Sequence, residues 1–250
     1  TSENPRGFSI RFVFANLVAE IRNEIIHKHV SHNVSQPISK KIITIMILTS
    51  ILNFFGCKGK NEPKKEQSEM DLLIENSIDE FNNRKIYKIL TSEILETITD
   101  DKLEQAIMDN IDNNFEDGEQ YTLDKVSKLT TGQKAVFSTW WLEAEVNNGG
   151  FNQFYFNSSG QYAKMAEIGF KTIGAEKFSE LTSRANKIFK ENKKRLEEFD
   201  DGTMESFSES YKDNPLNDLD TEFYNLYDSE NISDLRIKYI RENINEFTTE

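Results

Sequence analysis

The chain has 250 residues, 37% of them hydrophobic, with only four prolines and 11 glycines, which is enough for one domain with a genuine core plus extensions and argues against a loop-rich all-β fold. Its 43 acidic and 30 basic residues give a net charge of −13. The charge is uneven: residues 1–60 hold three acids and eight bases (net +5), whereas residues 61–250 hold 40 acids and 22 bases (net −18). A domain this acidic does not bind nucleic acid by neutralising phosphates; it repels anionic membranes and attracts basic partners.

Residues 1–39 are an extension of unassigned role, within which residues 8–30 have an amphipathic helical pattern. Lys40-Lys41 then precede an uncharged apolar run from Ile42 to Phe55, followed by Gly56-Cys57 and the polar stretch 58–67. The run is too short to cross a bilayer of roughly 30 Å as a helix, but it has the length of a signal-peptide core behind a basic leader. With a small residue before the only cysteine, residues 40–57 resemble a bacterial lipoprotein signal. That resemblance implies lipidation of Cys57, residues 58–67 as a polar tether, and a lipid-anchored protein of the cell envelope. Phe54 departs from the leucine usual three residues before the cysteine. A plain anchor or a buried core element are the alternative readings, and without the signal the protein is cytoplasmic.

From residue 68 to 247 the pattern predicts consecutive helices. Ser68 is placed to cap a first helix, with Leu72, Leu73, Ile78 and Phe81 as its stripe. A second, from about Asp100 to Phe115, sets Leu103, Ile107, Ile111 and Phe115 at steps of four, with Asp101, Asp109, Asp112 and Glu116 opposite. A third starts at Thr130 or Thr131, runs through Val136, Trp140, Trp141 and Ala144, and stops at Asn147-Asn148-Gly149-Gly150. An aromatic segment, 151–157, follows. Ala163, Ala166, Phe170 and Ile173 predict a helix ending at Gly174. Phe178, Leu181, Ala185, Ile188 and Leu196 predict a longer one to about Phe199. Leu216–Leu226 and Ile232–Phe247 are the closing pair. No useful strand-like alternation competes, so the expected fold is all-α.

The acidic part lacks histidine and cysteine, since His27, His29, His32 and Cys57 all precede it. That removes Cys/His and Ser-His-Asp nucleophile arrangements and zinc sites. Glu143 and Glu145, two apart on a helix, point to different sides and do not form a carboxylate pair of the glycosidase kind. No metal, cofactor or catalytic residue is expected.

One stretch is distinctive: Trp141, Glu145, Val146, Asn148, Gly149, Gly150, Phe151, Gln153, Phe154 and Asn157. Two glycines after asparagine allow left-handed dihedrals and an abrupt helix reversal. Phe151, Phe154 and Tyr155 are expected to return onto Trp140 and Trp141. Glu145, Asn148, Gln153 and Asn157 are expected to satisfy the opened backbone. These residues resemble the signature of a bacterial family named for its DNA-mimic member, in which a helix ends in E-V-x-N-G-G-F-x-Q with an asparagine shortly after. The resemblance extends over about residues 95–247. It implies an all-helical acidic domain, and for the named member a protein whose carboxylates stand where DNA presents phosphates.

The mimicry would lie in surface acids rather than in the turn. Acids three or four apart on a helix are roughly 5–6 Å apart at Cβ. The acidic clusters are Asp109, Asp112 and Glu116; Glu197, Glu198, Asp200 and Asp201; and Asp213, Asp218, Asp220 and Glu222, of which all but Asp213 and Glu222 are candidate partner-binding acids. Lys187, Lys190, Lys193, Lys194 and Arg195 interrupt them, and the bland reading is a solvated face. The expected function is non-enzymatic binding of a basic protein surface, such as that of a DNA-binding protein, without direct contact to nucleic acid and with the membrane reached through the lipidated amino terminus. The alternatives are an envelope lipoprotein acting as an immunity or inhibitor protein, and a carboxylate-based hydrolase. Export and mimicry conflict if the partner is a cytoplasmic transcription factor.

Overall fold

The computed structural model describes residues 79–115, 121–199, 201 and 203–249, with Leu72 and Asn76 in addition. The signal segment, Cys57, Glu116 and Asp200 lie outside these residues. Leu72, Asn76 and residues 79–82 are helical but too few to define an element, and from Asn83 onward the described residues form one compact unit.

The described residues contain α-helices and 3₁₀ turns and no strand, so the all-α expectation holds. In chain order the helices are α1 (Ser92–Thr97), α2 (Asp100–Asn113), α3 (Leu123–Ser127), α4 (Thr131–Phe156), α5 (Ala163–Thr172), α6 (Glu176–Glu197), α7 (Met204–Glu209), α8 (Asn217–Leu226) and α9 (Ile232–Glu242). None is long and apolar enough to cross a membrane. The short helices α1, α3 and α7 fall where no long apolar period stands. Each begins at a threonine whose side chain accepts from a backbone N–H: Thr91, Thr122 and Thr203. Such a cap contributes about 1 kcal/mol. Thr130 and Gln133 form a reciprocal capping box at the start of α4.

The core is built around α4, which packs against α5, α8, α2 and α9, while α6 covers α5 and α8. Phe137, Phe151, Phe154, Phe170, Phe178 and Phe223 are fully buried in it. The predicted stripes account for much of this: Leu103, Ile107 and Ile111 on α2, and Phe178, Leu181, Ala185 and Leu196 on α6, are all buried.

Polar ties join the two ends of the unit. Residues 84–91 cross α2 without regular structure, bending at Lys88 and Ile89, and Asn110 Nδ2 donates to the carbonyls of Tyr87 (3.0 Å) and Lys88 (3.1 Å). Leu90 and Thr249 exchange two hydrogen bonds of 2.8 Å. On α9, Arg236 follows the stripe of Ile232 and Ile240 into the interior and is 2% exposed. It is held there by Glu104 of α2 at 3.0 Å and Glu143 of α4 at 2.5 Å. Ser233 donates to Glu104, and the Tyr227 hydroxyl donates to Glu143. Burial nevertheless pushes the Glu104 carboxyl above its ordinary value, against the pull of Arg236.

Removing a single member of such a buried group leaves uncompensated charge, which costs about 3–5 kcal/mol, whereas replacing the group by neutral residues costs much less. Arg236→Met should therefore lower the urea midpoint by a large step. Adding Glu104→Gln and Glu143→Gln in the same chain should restore most of it. Equal midpoints for the single and triple variants would contradict this account of the ion triad.

Candidate functional site

The distinctive stretch of the sequence lies within α4, where helical dihedrals fail at two residues. Gly149 has φ −157° and ψ 29°, and Gly150 has φ 73° and ψ −179°, a region essentially restricted to glycine. The chain does not leave the helical path for long: residues 151–156 are helical again, so the aromatic segment forms a second short helix joined to the first at a kink.

A kink inside a helix opens backbone groups that need partners. They come from residues some sixty to eighty positions later. Phe151 N–H donates to Asp220 Oδ1 at 2.7 Å, the Tyr211 hydroxyl donates to the Gly149 carbonyl at 2.7 Å, and the Tyr224 hydroxyl donates to the Val146 carbonyl at 2.9 Å. Asp220 thus supplies a carboxylate at the amino end of helix 151–156, where the helix dipole favours negative charge. It sits against the α-carbon of Gly150: a methyl group there would lie 2.2 Å from Asp220 Oδ2. Burial pushes the Asp220 carboxyl up to about 6, with the Phe151 N–H pulling it the other way.

The polar residues expected to satisfy this backbone do something different. Glu145 is buried, and its carboxylate accepts from Gln153 Nε2 (2.7 Å), Asn157 Nδ2 (2.7 Å) and Ser159 Oγ (3.2 Å). Gln153 and Asn157 therefore serve the carboxylate, and Asn148 is exposed. Asn152, read only as part of the aromatic segment, belongs to a second buried network: it donates to Ser210 Oγ (2.7 Å) and accepts from Asn214 Nδ2 (2.8 Å). The aromatic expectation also needs correcting. Phe151 meets Phe223 edge-on at 5.8 Å and Tyr155 stacks on Phe189 at 4.1 Å, while Trp140 and Trp141 are T-shaped to each other at 5.4 Å. Helices α6 and α8 supply the closer apolar surface, which sequence distance conceals.

Glu143 and Glu145 diverge as their spacing predicts, one to Arg236 and Tyr227, the other to Gln153, Asn157 and Ser159. Among the described residues no group of three metal-ligating side chains comes together.

The surface acids divide. Asp109 is not on the surface: it is buried, paired with Arg84 through two bonds of 2.7 and 2.8 Å, and also accepts from Gln105. The reason is the irregular segment 84–91, which covers a side of α2 that its own periodicity marks as solvent-facing. Asp112 is exposed, so with Asp109 turned inward the first predicted stripe is not a continuous face. Asp220 belongs to the kink. Glu197 is exposed with Lys193 at 3.4 Å. Glu198, Asp201 and Asp218 are exposed and have no cationic partner among the described residues. Hydrogen bonds from Thr203 and Ser206 hold the Asp201 carboxyl below its ordinary value. Arg195 donates to the carbonyls of Lys212 and Asp213, which joins the end of α6 to the loop before α8.

Two outcomes are expected at the kink. Gly150→Ala should destabilise the fold by about 1–3 kcal/mol from its dihedrals alone, and Asp220→Ala in the same chain should not recover that part, as read from urea midpoints. Because the folded-state pKa of Asp220 is raised above its unfolded value, folding retains a proton that the unfolded chain has lost between about pH 4 and about pH 6. The stability due to this group is present below that window and lost as pH rises through it. Asp220→Asn should remove that downward slope, and an unchanged pH profile would contradict it.

Neither the curated proteins nor the solved structures provide a match to the chain. Residues 127–243, just under half of the sequence, match the family model of the DMP19-like protein. The matched stretch holds the kink, Asp220 and Arg236 but not α1 or α2. It lies inside the 95–247 span over which the sequence resembles the DNA-mimic family, and it supports similarity of this part of the chain to that family.

Proposed function

We propose that residues 83–249 are a non-enzymatic, acidic protein-binding domain of the DNA-mimic type, which presents carboxylates to a basic surface on a partner such as a DNA-binding protein. The observation that carries this reading is the similarity of residues 127–243 to the DMP19-like protein family, on a chain whose residues 61–250 hold net −18. Of the candidate acids, Glu198, Asp201 and Asp218 are exposed without a cationic partner among the described residues, Asp112 and the Lys193-paired Glu197 are also exposed, and Glu116 and Asp200 lie outside the described residues. Asp218 is carried on α8, Glu198 caps the end of α6 and Asp201 is held by Thr203 and Ser206, so these carboxylates meet a basic groove at less entropic cost than an acidic tail.

In this reading the chain is lipid-anchored through Cys57 and the partner is an envelope protein, because an exported domain does not meet a cytoplasmic regulator. The apolar run before Gly56-Cys57 supports a second form of the same proposal, an envelope lipoprotein that acts as an immunity or inhibitor protein without mimicry.

Two measurements test these readings. A basic partner captured by the chain should be released by duplex DNA, and its affinity should fall steeply between about 50 and about 200 mM salt, as it does for partners that exchange phosphate contacts. Glu198→Gln, Asp201→Asn and Asp218→Asn together should weaken capture about tenfold, or roughly 0.5 kcal/mol for each exposed charge. Affinity indifferent to salt and to DNA would sink the mimic reading and leave the inhibitor form. Labelled palmitate incorporated by the wild-type chain and lost in Cys57→Ala would support anchoring, and an unlabelled wild-type chain would remove it.

A further inference from the structure

The segment 84–91 that covers Asp109 carries side chains for which neither the core nor the acidic surface has a use. Ile86 and Ile89 are 51% and 57% exposed, among the most exposed large apolar side chains described. Between and beside them stand Lys85 and Lys88, both exposed and without a carboxylate partner among the described residues. Lys85 Nζ lies 4.5 Å over the Tyr87 ring. The backbone beneath is fixed, because Asn110 bonds the Tyr87 and Lys88 carbonyls and Arg84 is paired with Asp109. Local flexibility therefore does not hide the isoleucines, and α2 holds the four side chains on one short stretch.

We infer that Lys85, Ile86, Lys88 and Ile89 form a contact edge for an anionic lipid surface, an inference that rests on the lipid-anchor reading for its proximity to a membrane. Lysines beside aliphatic side chains suit a lipid interface: the isoleucines enter the headgroup boundary while the ammonium groups stay at the phosphates. A protein hot spot draws instead on tryptophan, tyrosine and arginine, and here Arg84 is already engaged and Tyr87 lies under Lys85. The strong negative charge of the domain does not forbid the contact, because its field decays over about 8 Å at physiological salt and Lys85 and Lys88 are the charges next to the isoleucines in sequence. Glu93 follows at the start of α1 and opposes an anionic surface, which limits the contact to 85–89. Within the described unit, this edge is also among the parts closest in sequence to Cys57.

Two lysines and two isoleucines bind weakly alone, so the test supplies the tether. The full chain with an amino-terminal histidine tag is docked on vesicles containing a nickel-chelating lipid, with or without phosphatidylglycerol, and its lysines are acylated and read by mass spectrometry. Lys85 and Lys88 should be protected about fivefold on anionic vesicles, the ~1 kcal/mol a lysine gains at such a surface. Lys171 and Lys190, exposed and equally without carboxylate partners, should label unchanged. Ile86→Ser with Ile89→Ser should lose most of the protection. Equal labelling of Lys85 and Lys88 with and without phosphatidylglycerol, or protection on concentrating the chain without vesicles, which would identify a second copy as the occupant, would overturn the inference. Protection in the tethered assay without palmitate on Cys57 in cells would leave this edge standing and remove the anchor. Palmitate without protection would do the reverse.

Discussion

A helix broken in the middle of a core must pass its freed N–H and C=O groups to other partners, because buried backbone polar groups are costly when unpaired. The break at Gly149-Gly150 sets this demand at the centre of the domain. The loop before α8 and α8 itself meet it, through Tyr211, Asp220 and Tyr224. Much of the rest follows. With α8 drawn onto the kink, Phe223 reaches Phe151 and Phe178, and Tyr227 reaches Glu143. The signature stretch is thus half of a latch whose other half lies some seventy residues away, which is why its polar residues look like candidates for a site while their partners are internal.

The same logic redistributes the charge. Acidic composition alone is compatible with a uniformly negative surface. Folding instead turns Glu104, Asp109, Glu143, Glu145 and Asp220 inward or partly inward, each to a stated partner. Internal carboxylates are tolerated because arginine, amide, hydroxyl or backbone donors reach them. Five acids are thereby withdrawn, wholly or in part, from the surface. Arg195 ties the end of α6, near Glu197 and Glu198 in sequence, to the loop before α8.

The family match begins at residue 127, yet the domain does not. Arg236, inside the match, depends on Glu104 of α2, outside it, and Leu90 pairs with Thr249 beyond its other end. Residues 84–113 therefore complete the core of a domain whose shared part is smaller than its folding unit.

What the sequence determined by itself were the features that depend on neighbours along the chain. Helix periodicity and a helix start at Thr130 or Thr131 rest on contacts within a few residues, and the glycine pair marks an interruption that the structure makes a kink rather than the expected reversal. Arg236 was legible in principle, since it falls four residues from both Ile232 and Ile240, but a lone arginine on an apolar stripe does not reveal whether carboxylates await it. Tertiary structure alone decided that Asp109 is paired rather than presented, that Gln153 and Asn157 serve Glu145, that Asp220 caps the kink, and that Phe151 and Tyr155 meet Phe223 and Phe189. In each case the deciding partner is distant in sequence or belongs to another helix. Side chains of one helix settle its faces, but which buried polar group meets which donor depends on how the helices pack, and nothing in a local pattern encodes that.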